Sequence, residues 1–435
     1  MNYRQCLLYL EQIQNLGIKF GLDNVRTILA SLENPHRNYP SILVAGSNGK
    51  GSVCAMLTRI LSIHGLKVGL YTSPHLRCYE ERIRVGQDLI AAKAFIRIMT
   101  RLRSRIERLM SQGKLASPPT HFEHLTCAAL MHFAEKKVDI AVLEVGMGGR
   151  FDATNVVDPV LSVITTISEE HQKSLGETLE EIAFEKAGII KAGVPVVCGA
   201  EAGAAVRVIS EQARLREAPF VRVFGPESAL IGERSPEGYT FRYRYRGEDF
   251  SYSPSLNGRY QGKNGAVALV TALTLSSRWR PLDRNKILAG IAATRWEGRL
   301  ETWGENPLVI LDGAHNREGA EALRDHIREN TLNPLVLVFA TMQDKKIEEL
   351  SALLFPLAQR VILTHFPYRR AASPEEIARR SASFRDRLEI EPDAARALSR
   401  ARELATPDGA VIVTGSLFLV GAVKQMMPDA HTARP

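Results

Sequence analysis

The alternation of short apolar runs with helix-periodic segments constrains this chain more than any other feature. From residue 40 to about 200, SILVA at 41–45, KVGLY at 67–71, DIAVL at 139–143, and residues 160–167 and 194–198 read as strands. Residues 52–64 carry helical periodicity and stop at Gly65. Apolar strands alternating with helices predict a mostly parallel, doubly wound sheet. Residues 219–256 change character: FRYRYRGEDFSYS alternates aromatic with charged residues around a turn, which predicts a small antiparallel excursion with its arginines outward. Residues 264–276 return to helix. After residue 298 the alternation restarts, with strands at 308–311, 335–340, 360–364 and 410–413. The fold class is therefore α/β, with one unit over 1–296 and a second over 297–435, joined near residues 294–299, TRWEGR.

Composition narrows the function classes. With 45% apolar and 24% charged residues the chain is ordinary for a globular protein. No run of roughly 18 apolar residues occurs, so no membrane span is expected. The N-terminus, MNYRQCLLYLEQIQ, reads as an amphipathic helix rather than a signal peptide. Five scattered cysteines (Cys6, Cys54, Cys78, Cys127, Cys198) form no C-x-x-C pair; they predict a reducing, cytoplasmic setting and no zinc cluster. The formal charge of +8 is mild. Its densest basic run, IRIMTRLRSRIERL, places Ile98, Leu102, Ile106 and Leu109 at helical spacing with arginines opposite, the pattern of a solvated helix face. No aromatics interleave there, so no nucleic-acid partner is expected.

The stretch AGSNGKGS, residues 45–52, follows the first strand of the alternation and opens its helix. It departs from G-x-x-x-x-G-K-[ST]: position 44 is Val, and Gly51 delays the hydroxyl to Ser52. The placement still suits an anion. Backbone N–H groups at a helix start cradle phosphate, Lys50 adds charge for the outer phosphates, and Gly51 gives the loop room. Glu144 ends an apolar strand, the edge where ligands bind in open α/β sheets, and GMGGR follows it. A triphosphate brings magnesium, which takes few oxygen ligands from protein. His171 also follows an apolar strand and should emerge on that edge. Lys186 lies on a predicted helix and, taken alone, would be a surface lysine.

AGSNGKGS, YTSPHLRCYEERI, LEVGMGGRFDATN, EEHQKSLGETLEEIAFEKAGIIK, WEGRLE, LDGAHN and VTGSLFLV occur in that order. Together they resemble the folylpolyglutamate synthase and dihydrofolate synthase family, a branch of the Mur-type ligases, over nearly the whole chain. The resemblance implies a P-loop-type N-terminal domain with a pterin site and a Rossmann-like C-terminal α/β domain. It implies an ATP-dependent amide ligase that adds L-glutamate to dihydropteroate, folates or both through an acyl phosphate. Ser47, Asn48, Gly49, Lys50, Gly51 and Ser52 would hold the ATP phosphates. Asn264, Arg299, Asp312 and His315 would contact ATP from the domain cleft. Ser73, Glu144 and His171 would bind Mg2+, with a monovalent cation as a further ion. Lys186 matches a lysine that the family carries as a carbamate (N6-carboxylysine); Lys50, Lys186 and His171 would serve catalysis. Gly17, Ile18, Lys19, Phe20, Thr120, His121, Phe122, Glu123, Phe151, Asp152 and Ala153 would line the pterin or folate site. A cytoplasmic monomer is expected.

The chain departs from the family pattern in places. Glu170 stands where an Asp usually precedes the histidine, Tyr260 replaces a common His, Glu297 replaces a Pro before Gly298, and Asp344-Lys345-Lys346 stands for a D-K-D-like element. Other readings are a Mur-type ligase acting on a cell-wall or amino-acid polymer, a GTP-binding switch, and a non-catalytic binding protein. THFE and SPHL favour the pteridine. The Asn285-Lys286 pair is followed by Ile-Leu rather than the x-D of a guanine-reading motif.

Overall fold

The structure, a computed structural model, describes residues 1–14, 21–235, 238–330 and 332–426. Nine strands recognised by their apolar runs form the backbone of two sheets. In the first sheet these are β1 (Ser41–Ala45), β2 (Val68–Tyr71), β5 (Ile140–Glu144), β6 (Leu161–Ile164) and β7 (Val196–Cys198). The sheet is completed by β3 (Ile83–Val85), β4 (Asp88–Leu89) and β8 (Phe220–Arg222), in the order β4-β3-β2-β5-β1-β6-β7-β8. From β2 to β8 every neighbour is parallel; β3 and β4 add an antiparallel edge. The strands at the centre are buried at every position, as a sheet with both faces covered requires.

Each face has its own core. One packs the sheet against helices Ala92–Ser111, His121–Lys136, Leu179–Ala187 and Gly203–Leu215. The other packs it against helices Lys50–Ile63, Tyr260–Arg278 and Arg284–Ala292. In helix Ala92–Ser111, Ile98, Leu102, Ile106 and Leu109 are buried, while Arg97 and Arg103 pair with Glu135 and Glu107 in solvent, as the basic run predicts.

The antiparallel excursion is shorter than 219–256. Residues 220–222 form β8 of the parallel sheet, because their backbone pairs with β7. The excursion proper is a meander of β9 (Ala229–Ser235), β10 (Gly238–Tyr245) and β11 (Glu248–Tyr252). Phe241 and Tyr243 turn inward, and Arg242 and Arg244 turn outward to Glu233 and Asp249.

The second sheet runs β12-β13-β17-β14-β15-β16, with β12 (Glu301–Glu305), β13 (Leu308–Leu311), β14 (Leu335–Phe339), β15 (Arg360–Leu363), β16 (Leu388–Ile390) and β17 (Ala410–Thr414). Only β12 is antiparallel. The carboxyl ends of β1, β5 and β6 and the loop after β13 contribute to the same cleft, of about 1360 Å³. Among the described residues no helix is long and apolar enough to cross a membrane.

Candidate active site

The turn after β1 is held open by its neighbours. Gly49 caps helix Lys50–Ile63 with φ 83°, and a Cβ there would meet Asn264 Oδ1 at 2.3 Å. Ser47 N donates to Thr166 O at 2.8 Å, Asn48 N to Thr166 Oγ1 at 2.9 Å, and Thr165 Oγ1 to Asn48 O at 2.6 Å. Lys50 Nζ folds back onto Gly46 O at 2.7 Å and Ser47 O at 2.9 Å. Gly51 is helical. What its missing side chain leaves room for is Trp296, whose Nε1 would lie 3.0 Å from a Cβ. Ser52 is buried and accepts from Gln261 Nε2 at 3.4 Å.

Glu144, at the end of β5, is buried rather than a solvated strand end. Its Oε2 accepts from Ser73 N at 3.0 Å. Burial raises its pKa, against the lowering influence of Lys50 and Arg299. His171 lines the same cleft in the left-handed region, φ 50°. The surrounding walls and the lysines 345, 50 and 186 hold it down to about 4, Glu170 opposing, so it is neutral. Among the described residues no hydrogen bond joins it to Ser73 or Glu144.

Lys186 is not a surface lysine. Helix Leu179–Ala187 turns it beneath the phosphate loop, where it is 1% exposed. Its Nζ donates to Gly46 O and to Glu170 Oε1, both at 2.9 Å. Burial depresses its ammonium. Burial would raise the Glu170 carboxyl, but Lys186 and Lys50 outweigh it and hold it ionised. The Glu170 partnership is a feature sequence reading missed; nothing in SEEHQ signals it.

On the far wall, THFE spells a helix cap as well as a ligand wall. Thr120 Oγ1 accepts from Glu123 N at 3.2 Å and Thr120 N donates to Glu123 Oε2 at 2.5 Å, the reciprocal pair that T-x-x-E encodes. The side chains of Thr120 and Glu123 are thus engaged in starting the helix, while His121 and Phe122 line the cleft beside them. Asp152 is buried and accepts from Met147 N, Thr154 N and Thr154 Oγ1, which fixes the turn between Phe151 and Ala153. Phe151 is half exposed, 4.4 Å from the Arg150 guanidinium. Gly17, Ile18, Lys19 and Phe20 lie outside the described residues.

From the second sheet, Asp312 accepts from Leu300 N and Ala314 N, both at 2.9 Å, and burial raises its pKa. His315 Nδ1 bonds Gly313 O at 2.8 Å, and burial holds the ring at about 4. Asn316 caps helix Arg317–Glu329 and donates Nδ2 to Asn48 Oδ1 at 3.0 Å. Asn48 Nδ2 in turn donates to Glu318 Oε2 at 2.5 Å. Asn264 and Arg299 complete the cleft wall. One cleft therefore gathers the phosphate loop, Ser73, Glu144, His171, the 120–123 and 151–153 segments and the 299–315 residues; Lys186 supports it from below.

A mostly parallel sheet with a glycine-bearing loop at a strand end, facing a second α/β unit across a cleft, fits the plan of a nucleotide-spending ligase. Comparison with known families agrees. The Mur ligase middle domain matches residues 44–272, and the Mur ligase glutamate ligase domain matches residues 298–417. The chain is an ATP-dependent ligase of the Mur type. It is 34% identical over 432 residues to the folylpolyglutamate synthase of Lacticaseibacillus casei, covering 98% of this chain and 99% of that one. It is 32% identical over 429 residues to the dihydrofolate synthase/folylpolyglutamate synthase of Bacillus subtilis, covering 98% and 99%. The structure superposes on Mycobacterium tuberculosis folylpolyglutamate synthase complexed with ADP and AMPPCP with a TM-score of 0.90 at 30% identity, covering 98% and 99%. It superposes on E. coli FolC in complex with DHPP and ADP with a TM-score of 0.85 at 29% identity, covering 98% of each. The chain belongs to the folylpolyglutamate synthase and dihydrofolate synthase family.

Proposed function

We propose that this chain joins L-glutamate to dihydropteroate and to folates, spending ATP, as a cytoplasmic monomer. The acceptor's carboxylate attacks the γ-phosphorus and ADP leaves, giving an acyl phosphate. The glutamate amine then attacks the acyl carbon, loses a proton, and phosphate leaves. A carboxylate is a poor electrophile in water, so this activation is what makes the amide attainable. The observation that carries the reading is the convergence, in one cleft, of the 47–52 loop, Glu144 and the aromatic residues Tyr79, His121 and Phe122.

For the first step the chain positions groups and balances charge. The loop N–H groups and Lys50, released from Gly46 O and Ser47 O, take the phosphates. Arg299, Asp312, His315 and Asn264 hold the nucleotide from the cleft walls. The 120–123 and 151–153 segments, with residues 17–20, hold the pteridine. The donor set fits magnesium: Glu144 leaves Oε1 without a hydrogen bond among the described residues, beside Ser73, and His171 offers a neutral ring. Among those residues no cluster of three His, Cys, Asp or Glu side chains exists, so phosphate and water oxygens would complete the shell. Magnesium held there would draw charge off the phosphoryl group in transfer. Lys186, if carboxylated on Nζ, would add an anionic oxygen pair at the loop; its depressed ammonium favours the neutral amine that carbon dioxide requires. The second α/β unit, which we read as 297–435, would close over the intermediate and keep water from it.

Phosphate release measured with ATP, glutamate and either dihydropteroate or tetrahydrofolate tests the reading. Turnover should require all three reactants. Turnover with GTP preferred, or nucleotide binding with no release, would refute it.

A further inference from the structure

Arg82 closes the short turn Tyr79–Arg82 that leads into β3, and it is 6% exposed. Its Nε donates to His75 Nδ1 at 2.9 Å, and its guanidinium lies 5.8 Å from the Tyr79 ring centre. Because His75 Nδ1 accepts that bond, the imidazole serves as an acceptor and brings no negative charge. Among the described residues no carboxylate pairs with Arg82, and its two Nη groups donate to no protein atom. It lines the cleft, and those Nη groups are not sealed from it. A buried cation is ordinarily paired, since desolvation without a partner costs several kcal/mol. Arg82 has a fork of donors, an orientation set by His75 and no carboxylate partner among the described residues.

Its position says which anion fits. On one side Tyr79 packs on His75 at 4.5 Å and on His121 at 5.5 Å, the beginning of the wall assigned to the pteridine. The same cleft lining includes Glu144, at the rim assigned to metal and phosphate. Arg82 thus stands between the ring of the acceptor and the phosphate that must reach that acceptor's acid group. The phosphates themselves are served by the loop and Lys50. A planar carboxylate matches the guanidinium fork in two parallel hydrogen bonds. We propose that Arg82, oriented by His75, anchors the carboxylate of the acceptor acid so that one of its oxygens faces the γ-phosphate. This inference rests on the ligase reading above and adds a residue that reading does not use.

The test is equilibrium binding of dihydropteroate and of its carboxamide to the full-length chain with Mg2+ and a non-hydrolysable ATP analogue. Wild type should prefer the acid by about 10- to 100-fold, the range of a charge-assisted bidentate pair. Arg82→Gln should bind acid and carboxamide about equally, with carboxamide and nucleotide affinity unchanged. Arg82→Lys, which keeps the charge but not the fork, should retain a preference several-fold smaller than wild type, and it carries the test if Arg82→Gln does not fold. Two results would overturn the assignment. One is a variant that keeps the full acid preference, with a raised KM for glutamate pointing to the amino acid's carboxylate instead. The other is equal loss of both ligands, which would make Arg82 structural. Wild type binding neither pteroate ligand would remove the ligase reading itself.

Discussion

At the scale of single residues, Lys186 and Glu170 form a buried pair whose members cannot be removed one at a time without consequence. Lys186→Ala strands an ionised Glu170 and leaves Gly46 O to Lys50 alone. The expected loss is about 3–5 kcal/mol of stability by denaturant titration, together with most of the activity. Small carboxylates should partly restore turnover, since they supply the oxygens a carbamate would carry; turnover close to wild type without them would remove that role. His124 offers a pH test. It is 1% exposed, with Nδ1 on Thr120 O at 2.8 Å and Nε2 on the Tyr9 hydroxyl at 2.7 Å. Burial holds it at about 4, below the 6.5 of an unfolded chain. The unfolded state therefore takes the proton first as pH falls. The stabilisation is complete above about 6.5 and is lost toward pH 4 at about 1.4 kcal/mol per pH unit. Urea midpoints between pH 7 and 5 should fall less steeply in His124→Gln than in wild type.

At the scale of elements, helix Lys50–Ile63 carries the phosphate loop at its start, and helix Arg284–Ala292 presses on it through Gly290. A Cβ at Gly290 would meet the Ile60 Cα at 2.6 Å, a backbone atom that cannot turn aside. Gly290→Ala should cost about 1–3 kcal/mol by urea unfolding, as overpacking does, where a helical Gly→Ala in open space would stabilise. The elements that sequence reading recovered are those with one dominant signal. β1, β5 and β6 are buried on both faces, so their apolar runs are continuous. β12, β3 and β4 escaped because they lie at or next to a sheet edge and carry polar residues: Glu301, Thr302, Asp88 and Arg84 give no apolar run, and only their pairing to a neighbour makes them strands. β8 was taken into the antiparallel excursion because FVR at 220–222 continues smoothly into it; the break is set by pairing with β7.

At the scale of the whole molecule, the cleft draws on both sheets, and this decides what the sequence could say about it. The loop, Glu144 and the DGAHN turn were legible because each sits at a strand end, a position that local pattern reveals. Arg82, His75 and Glu170 were not, since their importance comes from burial and from partners far along the chain. The contact across the cleft made by Asn48 with Asn316 and Glu318 belongs to the same class. Its Glu318 arm has a thermodynamic consequence. Asn48 Nδ2 donates to the Glu318 carboxylate, so on the proposed reading a phosphate oxygen seeking that amide would compete with an acid. Nucleotide uptake would then exchange one anion for another, and the measured affinity would be the difference between two attachments. Glu318→Ala should bind AMPPCP about 3- to 10-fold more tightly by calorimetry, and unchanged or weaker binding would show that the acid does not compete. The same two bonds brace the loop of the first half against a helix of the second, so one side chain serves both that loop and the seam between the halves.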